Sequence, residues 1–598
     1  MVYNKSTKSK SRSGGHMGRM RNLKRFPDKN RQETKSGAFH KRPDVLRIIP
    51  LGGLEEVGRN MTAFEYENDI IIVDAGLGFP GEDMPGIDYV IPNTSYLKEN
   101  KDKIRGLFIT HAHLDHVGAI PYIMEDMGNP PIWTTPLSRG IILKRQDEFP
   151  HVPKLEIHVI NKDDKKIVDL GNFKVENFHV NHNIPDSVGL AIHTPVGLIV
   201  HTCDFKFDFT PIGDKPADIA RIAQIGAEGV KVLLSDSTNA ENPGHSISEK
   251  TIMENLEEIF KVAKGKIIAA TFSSLIMRIQ QLIMLAEKYD RKVAIEGYGM
   301  KMNVELAKQL QYIKAEKGTL IDTRSIDNYP PNKILIVCTG AQGEDRAALM
   351  RIANREHRFV KITKGDSVIF SSSVIPGNER SVQFLRDIIA RQGARVYHYK
   401  MMDIHAGGHA QADDLKLMIN LMHPEYLMPI HGQYYMLRAH ADLAETMGMP
   451  EQNILIAENG QVVEIGKTHA KVTQEKVPSN YVMVDGLGIG DIDNVVMRDR
   501  QILAQDGMVV AIIIIDTKKG VVRHDPDIIS RGFVYMKEST ELLTEVKKLI
   551  KEIVEKSIRP GERPNVAYVR DNIRDDLGKF LFQKIERRPM ILPFLIEV

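Results

Sequence analysis

Three imidazoles and a carboxylate fall within six positions in Thr110-His111-Ala112-His113-Leu114-Asp115-His116. The segment follows the apolar run Leu107-Phe108-Ile109, which reads as the end of a buried strand, and strand ends are where an α/β sheet displays its chemistry. His111 and His113 project to the same side of an extended chain, because strand side chains alternate. They are therefore placed to bind one ion together. Asp115 and His116 come where the chain must turn, and are placed to face a second ion beside the first. Neutral imidazole and carboxylate oxygen suit Zn²⁺ or Mn²⁺, and a catalytic zinc site keeps a coordination position for water. The alternative, a polar loop that merely contains histidines, leaves four ligand-type side chains without a reason.

One cluster does not complete a two-metal centre, so further ligands must come from elsewhere in the chain. Asp74, His182, Asp204 and His431 each follow or close an apolar run, and strand ends gathered at one edge would form a cleft. His179 lies three residues before His182, and His201 lies near Asp204. Asp236, among Ser, Thr and Asn, has the surroundings of a turn or capping residue. Ser371-Ser372-Ser373 and His405-Ala406-Gly407-Gly408-His409 supply hydroxyls, imidazoles and exposed backbone N–H groups, the parts of an anion nest, although glycine- and serine-rich turns look the same. Asp88 in PGID and Asp485 in DGLGIGDID are loop carboxylates of the kind that cap turns.

These residues need several layers of structure to bring them together. A chain of 598 residues is too long for one core. With 42% hydrophobic and 26% charged residues it has the make-up of a soluble globular protein. Cys203 and Cys338 are the only cysteines and lie in apolar, strand-like runs, which argues against a disulfide framework or a thiolate metal site and fits a reducing cytoplasm. No apolar stretch approaches the length of a bilayer, and the basic start has no apolar signal region, so no membrane association is expected.

Residues 1–43 form a tail with thirteen basic residues, from Lys5 to Arg42, against Asp28 and Glu33. It lacks the apolar periodicity that would repay ordering and is expected to be disordered, attracting phosphates without reading sequence. From Val45 the pattern becomes β-rich, with strands expected at Val45–Ile49, Ile70–Asp74, Gly106–Thr110, Leu155–Ile160, Phe173–Phe178, Gly189–His193, Leu198–Thr202 and Val232–Asp236. From Ser246 to about Lys400 helical segments alternate with strands, the pattern of a parallel sheet. Residues 401–476 hold further helices, a strand at Glu425–Ile430 and a hairpin Ile454–Ile465 turning at Asn459-Gly460. A linker is expected over 477–508. A last unit over 509–598 reads as strand Val509–Ile515, helix Thr540–Lys556, strand Val566–Val569, helix Asn572–Gln583 and an apolar end.

The motifs in order resemble a known family. Asp74 in VDAG, HAHLDH at 111–116, His182 in HNIPDSVG and Asp204 in CDFKFD resemble the successive motifs of the metallo-β-lactamase fold. Asp236 in LLSDSTNA, His409 in AGGHA and His431 in PIHGQYYM resemble the further motifs of the β-CASP nucleases, in which a second domain is inserted into that fold. LGGLEEVGRN at 51–60, SSSVIPGNE at 371–379, DGLGIGDID at 485–493 and RRPMIL at 587–592 resemble the ribonuclease J family of bacteria and archaea. The resemblance runs from about residue 45 to 598.

It implies an α/β chain: a metallo-β-lactamase αββα sandwich (44–245 and 401–476), an inserted β-CASP α/β domain (246–400) and a small C-terminal α/β domain. It assigns His111, His113 and His182 to one metal, Asp115, His116 and His431 to the other, Asp204 as the bridge and Asp74 as an orienting partner. Two Zn²⁺ ions are expected, with Mn²⁺ or Mg²⁺ as alternatives. His409 would donate a proton to the leaving group or hold the scissile phosphate, Asp236 would act in the same site, and Asp115 or Asp204 would assist in deprotonating water. Ser371, Ser372, Ser373 and residues His405, Ala406, Gly407, Gly408 and His409 would take a terminal 5′-phosphate. Gly86, Asp88 and Asp485 would hold a structural Ca²⁺. The implied activity is 5′-to-3′ exonucleolytic and also endonucleolytic cleavage of single-stranded RNA, in RNA maturation and decay in the cytoplasm. Lys579, Lys584, Arg587 and Arg588 near the end of the chain would serve RNA binding or a homodimer or homotetramer, within an RNA-degradation complex.

Overall fold

In the computed structural model the described residues are 44–598, apart from 82, 376, 487, 491–493, 517, 518, 520, 534–539 and 559–564. The basic tail, and parts of the motifs at 371–379 and 485–493, lie outside them.

Two sheets face each other. The first has eight strands in the order Ala470–Lys476, Gln461–Ile465, Leu46–Gly52, Met61–Tyr66, Asp69–Val73, Ile104–Phe108, Ile132–Thr134 and Ile157–Val159. The second has six, in the order Tyr426–Ile430, Val230–Asp236, Gly197–His201, Val188–Thr194, Phe173–His179 and Val168–Leu170. Their inner faces share one core: Ile48, Phe64, Ile71 and Phe108 from the first meet Val175, Ile192, Ile199, Val232 and Leu234 from the second. Because strand side chains alternate, each sheet also has an outer apolar face. Helices cover both, with Ile120 and Ile123 packed on the first and Ile222, Leu415 and Met418 on the second. The result is the expected αββα sandwich.

The chain leaves the second sheet at Asp236 and returns at Tyr426, and these two strands pair in parallel. Between them lies a separate six-stranded sheet, wholly parallel, in the order Leu320–Ile321, Lys292–Glu296, Ile334–Cys338, Ile267–Ala270, Ser367–Phe370 and Arg395–His398. Both its faces are apolar and covered, as a parallel sheet requires. One of those cores includes Ala112, Ile184, Ile404 and Ala406, so the inserted layer packs directly behind the histidine-rich loops.

The C-terminal unit is a sheet built on Met508–Asp516, paired with Val521–Val522, Asp527–Arg531 and Met590–Glu597. The helices Thr540–Ser557 and Val566–Ile585 pack through Val546, Ile550, Ile573 and Leu577 onto its buried face.

Three local expectations are corrected. Asn459-Gly460 does turn, but the segments on either side do not pair with each other. Leu455 N–H donates to Leu427 in the second sheet, whereas Gln461–Ile465 pairs with Leu46–Gly52 and Ala470–Lys476 in the first. The segment crosses between sheets instead of forming a hairpin. Val566–Val569 is the first turn of a helix: its β-branched residues suggest a strand, but the Asn565 side chain caps the helix by accepting from Tyr568 N–H. The supposed linker contains the strand Val482–Asp485, which pairs with Tyr89–Ile91, and the helix Asn494–Asp506.

The sandwich core makes one measurable demand. Leu234 is fully buried between the two sheets. Leu234→Ala is expected to lower the urea unfolding free energy by about 2–5 kcal/mol, with the position of the transition as the readout.

Candidate metal centre

The histidine-rich segment leaves the sheet just after the strand Ile104–Phe108. Residues 109–113 lie between regular elements, with His113 extended at φ −69° and ψ 148°, and the short helix Leu114–Val117 then carries Asp115 and His116. Asp74 sits directly after the neighbouring strand with a left-handed backbone, φ 64°. Cys203 and His431 also adopt left-handed backbones near the ends of their strands, at φ 62° and 53°. Such conformations cost non-glycine residues roughly 1–2 kcal/mol each, and strain of this kind gathers where geometry is over-determined.

Asp74 organises one side. Its carboxylate accepts from Thr110 N–H at 2.9 Å, from the Thr110 hydroxyl at 2.9 and 3.0 Å, and from His116 Nδ1 at 2.7 Å. His116 therefore carries a proton on Nδ1, and Nε2 is the nitrogen that faces Asp204 Oδ2 at 3.1 Å and Asp115 Oδ2 at 3.6 Å. His182 obeys the same logic. Its Nδ1 donates to the Gly408 carbonyl at 2.7 Å, so Nε2 presents a lone pair toward His113 Nδ1 at 3.1 Å. His111 Nε2 stands 3.0 Å from the same His113 nitrogen. A side chain at Gly408 would lie 2.3 Å from His182 Cε1, so glycine is required there.

Asp204 joins the two groups. Its Oδ2 lies 3.1 Å from His116, 3.7 Å from His111 and 4.0 Å from His182, while Oδ1 lies 3.9 Å from His431 Nδ1. His431 faces Asp115 Oδ2 with Nε2 at 3.4 Å, and its Nδ1 meets the Thr238 hydroxyl at 2.7 Å. The structure thus brings His111, His113 and His182 together as one potential metal-binding group and Asp115, His116, Asp204 and His431 as another. The donors fit divalent cations: buried imidazole nitrogens and carboxylate oxygens converge, and a positive charge among them, whether a metal ion or a proton on His116 or His431, offsets the carboxylates.

Electrostatics separate the two groups. Burial pushes His111 and His182 well below the usual imidazole range and His113 down to about 4, which keeps all three neutral. Burial also opposes charge on His116 and His431, but carboxylates win: Asp204, Asp74 and Asp115 hold His116 well above its usual range, and Asp204, Asp115 and Asp236 push His431 up to about 10. Burial alone would raise Asp115 and Asp204, yet the surrounding imidazoles hold both below the usual carboxylate range.

His409 stands beside this centre, its ring 5.2 Å from that of His182. Its Nδ1 donates to Asp236 Oδ2 at 2.8 Å, and that carboxylate, overcoming burial, raises the imidazole above its ordinary range. His179 turns away, pairing through Nε2 with the Lys215 carbonyl, and His201 accepts from Cys203 N–H.

The expected anion nest is only partly free. Ser371 is fully buried; its hydroxyl donates to the Ile404 carbonyl at 2.7 Å and accepts from Arg278. It has no hydrogen left for a phosphate in this arrangement. Ser372 is buried and accepts from Gln342 at 3.2 Å, whereas Ser373 and Gly407 are exposed. Ala406 lines a cavity of about 20 Å³ with His182, Asn183, Lys206 and Arg278. His405 Nδ1 is buried without a partner, and burial next to Arg278 pushes its imidazole down to about 3.

A guanidinium lies beside Gly86 and Asp485, and Asp88 is held separately. The Arg500 guanidinium donates to the Gly86 carbonyl at 3.2 Å and to Asp485 at 2.5 Å, while Asp88 accepts from Gly486 N–H. Among the described residues these carboxylates form no metal-ligand group.

Sequence reasoning missed the supporting partners. Asn60 donates to the Asp115 carbonyl at 3.1 Å and lies 3.2 Å from His116 Nε2; Thr110 and Thr238 fix two imidazoles; and Cys203 Sγ lies 3.3 Å from His111 Nδ1. It also missed a buried network in which Glu249 binds Arg278 at 2.7 Å and Lys206 at 3.2 Å. Arg278 interrupts the apolar face of the helix Ile276–Lys288, a signal the sequence did contain.

Comparison with known proteins agrees with this architecture. Residues 54–232 match the model of the metallo-β-lactamase superfamily, and residues 264–389 that of the ribonuclease J β-CASP domain. Residues 399–457 match the Zn-dependent metallo-hydrolase RNA specificity domain, and 495–598 the ribonuclease J C-terminal domain. Fold and site together define a metal-binding hydrolase of the metallo-β-lactamase superfamily with a β-CASP insertion, a nuclease class. Ribonuclease J 1 of Streptococcus pyogenes is 42% identical over 555 residues, covering 93% of this chain and 98% of that protein. Ribonuclease J2 of Bacillus subtilis is 39% identical over 560 residues, covering 93% and 100%. The chain belongs to the ribonuclease J family. A solved structure of a protein of unknown function from Enterococcus faecalis, 17% identical with a TM-score of 0.52 and covering 70% of this chain and 100% of that one, shares the fold. No described helix is long and apolar enough to cross a membrane.

Asp74 touches Thr110 and His116 but none of the other proposed ligands. Asp74→Ala is expected to weaken metal affinity by roughly 10–100-fold, measured by competition with a chromophoric chelator.

Proposed function

We propose that this protein hydrolyses RNA phosphodiesters with two divalent metal ions, zinc first among them and Mn²⁺ or Mg²⁺ as alternatives. His111, His113 and His182 would hold one ion and Asp115, His116 and His431 the other, with Asp204 shared. The observation that carries this reading is the Asp204 carboxylate, within 4.0 Å of imidazole nitrogens from both groups. A carboxylate with two oxygens is the side chain suited to that position.

When bound, such a pair supplies Lewis acidity toward a water and a phosphodiester. The chain's own residues do the rest. Asp74, through Thr110 and His116, fixes the tautomer and direction of a ligand before any metal arrives. Asp115 and Asp204, held as carboxylates, can accept a proton from an incoming water, though a carboxylate engaged by a cation is a weak base. His409, its Nδ1 hydrogen committed to Asp236, keeps Nε2 for a phosphate oxygen or for delivering a proton to the departing 3′ oxygen.

The preferred substrate in this reading is single-stranded RNA with a 5′-monophosphate, cut from that end, with internal cleavage in addition. The exposed Ser373 and Gly407 would meet the terminal phosphate, with Lys206 and Arg278 close by in the cavity beside His182. The cellular setting is RNA maturation and decay in the cytoplasm, as a homodimer or homotetramer and within an RNA-degradation complex.

Metal-loaded protein offered 5′-monophosphorylated RNA, 5′-triphosphorylated RNA and DNA is expected to release mononucleotides from the first alone. His113→Ala is expected to lose more than the roughly 100-fold that removing an outer partner costs. RNA degradation by His113→Ala at the unaltered rate, or equal cleavage of DNA, would overturn the reading.

A further inference from the structure

The C-terminal unit carries a groove that the metal centre does not use. It runs between the helices Asn494–Asp506 and Val566–Ile585 and the approach to the strand Met590–Glu597, with a volume of about 700 Å³. Four exposed cations, Arg498, Arg574, Lys579 and Arg588, line it against two acids, Asp499 and Asp575. Arg574 and Lys579 have carboxylates three residues away, at 3.0 and 3.1 Å, but exposed pairs of this kind contribute little and yield to a stronger anion. The guanidinium groups of Arg498 and Arg588 make no ion pair with a carboxylate among the described residues, although the Arg588 backbone N–H donates to Asp506 at 3.1 Å.

Two further features point to the ligand. The Arg588 guanidinium lies over the Phe582 ring at 4.2 Å, and Phe582 is 39% exposed, so a guanidinium plane backed by an aromatic ring stands at the surface. Planar guanidinium and aromatic groups are the surfaces on which unpaired bases stack. Gly578 stands one turn before Phe582 and one turn after Arg574, on the same helix face. A helix interior disfavours glycine. A Cβ at this position would meet only Ile591 Cδ1, at an ordinary 3.7 Å, so close packing does not demand it. The missing side chain keeps the floor of the groove open.

We propose that this groove binds a stretch of single-stranded RNA other than the linkage being cut, through its phosphates at the four cations and through one base at the Arg588–Phe582 pair. The proposal rests on the nuclease reading above. A second copy of the chain docking through the same groove would set these cations against one another, which disfavours it as the occupant.

The test uses the full-length, metal-loaded protein, an Arg498→Ser/Arg588→Ser variant and a Gly578→Gln variant that fills the floor without removing charge. Binding of 5′-monophosphorylated RNAs of about 30 and about 5 nucleotides is measured across salt concentrations, with cleavage of the short RNA and sedimentation alongside. Both variants are expected to bind the long RNA about tenfold or more weakly. The charge variant should also show a salt slope smaller by about 1–2, and Gly578→Gln should melt no lower than the unaltered protein. Short-RNA cleavage and sedimentation should stay unchanged. Unaltered long-RNA affinity in both variants, while the parent protein still cuts the short RNA, would overturn the groove alone. Loss of affinity that tracks loss of an oligomer would overturn it in favour of a protein interface. A parent protein that cuts no RNA would remove the nuclease reading and this proposal with it.

Discussion

The convergence of buried imidazoles and carboxylates around Asp204 is the constraint on which the rest of this structure depends. His116 donates through Nδ1 to Asp74, and its Nε2 is held 3.1 Å from a carboxylate oxygen of Asp204. His182 donates through Nδ1 to the Gly408 carbonyl, and its Nε2 points at the Nδ1 of His113. Burial without a compensating positive charge makes such an arrangement costly. The two facing sheets impose it by ending several strands at one edge, and left-handed backbones at Asp74, Cys203 and His431 aim the side chains inward.

Two different environments result from one enclosed site. The trio His111, His113 and His182 is kept neutral by burial, ready to offer nitrogen lone pairs. His116, His431 and His409 lie among Asp74, Asp115, Asp204 and Asp236, which favour positive charge there. A region designed around carboxylates is one where a cation, whether a metal or a proton, is always favoured. The parallel sheet inserted between Asp236 and Tyr426 closes the site from behind, so the same chain that supplies His409 also supplies the buried Arg278 and Glu249.

How much of this was legible in the sequence depended on the range of the interaction. The spacing of His111, His113, Asp115 and His116 is local, and alternation along an extended chain followed by a turn was enough to place those four. His182, Asp204 and His431 converge across hundreds of residues, and only the resemblance of successive motifs connected them. Asn60, Thr110 and Thr238 are ordinary polar residues whose importance lies in what they face, which periodicity does not reveal. The Val566–Val569 error arose because β-branched residues outweighed an asparagine cap. The Ile454–Ile465 error arose because a turn signal says nothing about which sheet each arm joins. For Gly86 and Asp485, Arg500 lies some four hundred residues from the first of them, and that its guanidinium donates to both is not legible from local spacing.

Anomalous scattering from crystals grown with Zn²⁺ or Mn²⁺ addresses the central claim most directly. The account predicts two peaks, one among His111, His113 and His182 and one among Asp115, His116 and His431, with Asp204 in contact with both. A single peak distant from Asp204, or none within reach of these imidazoles under saturating metal, would contradict it.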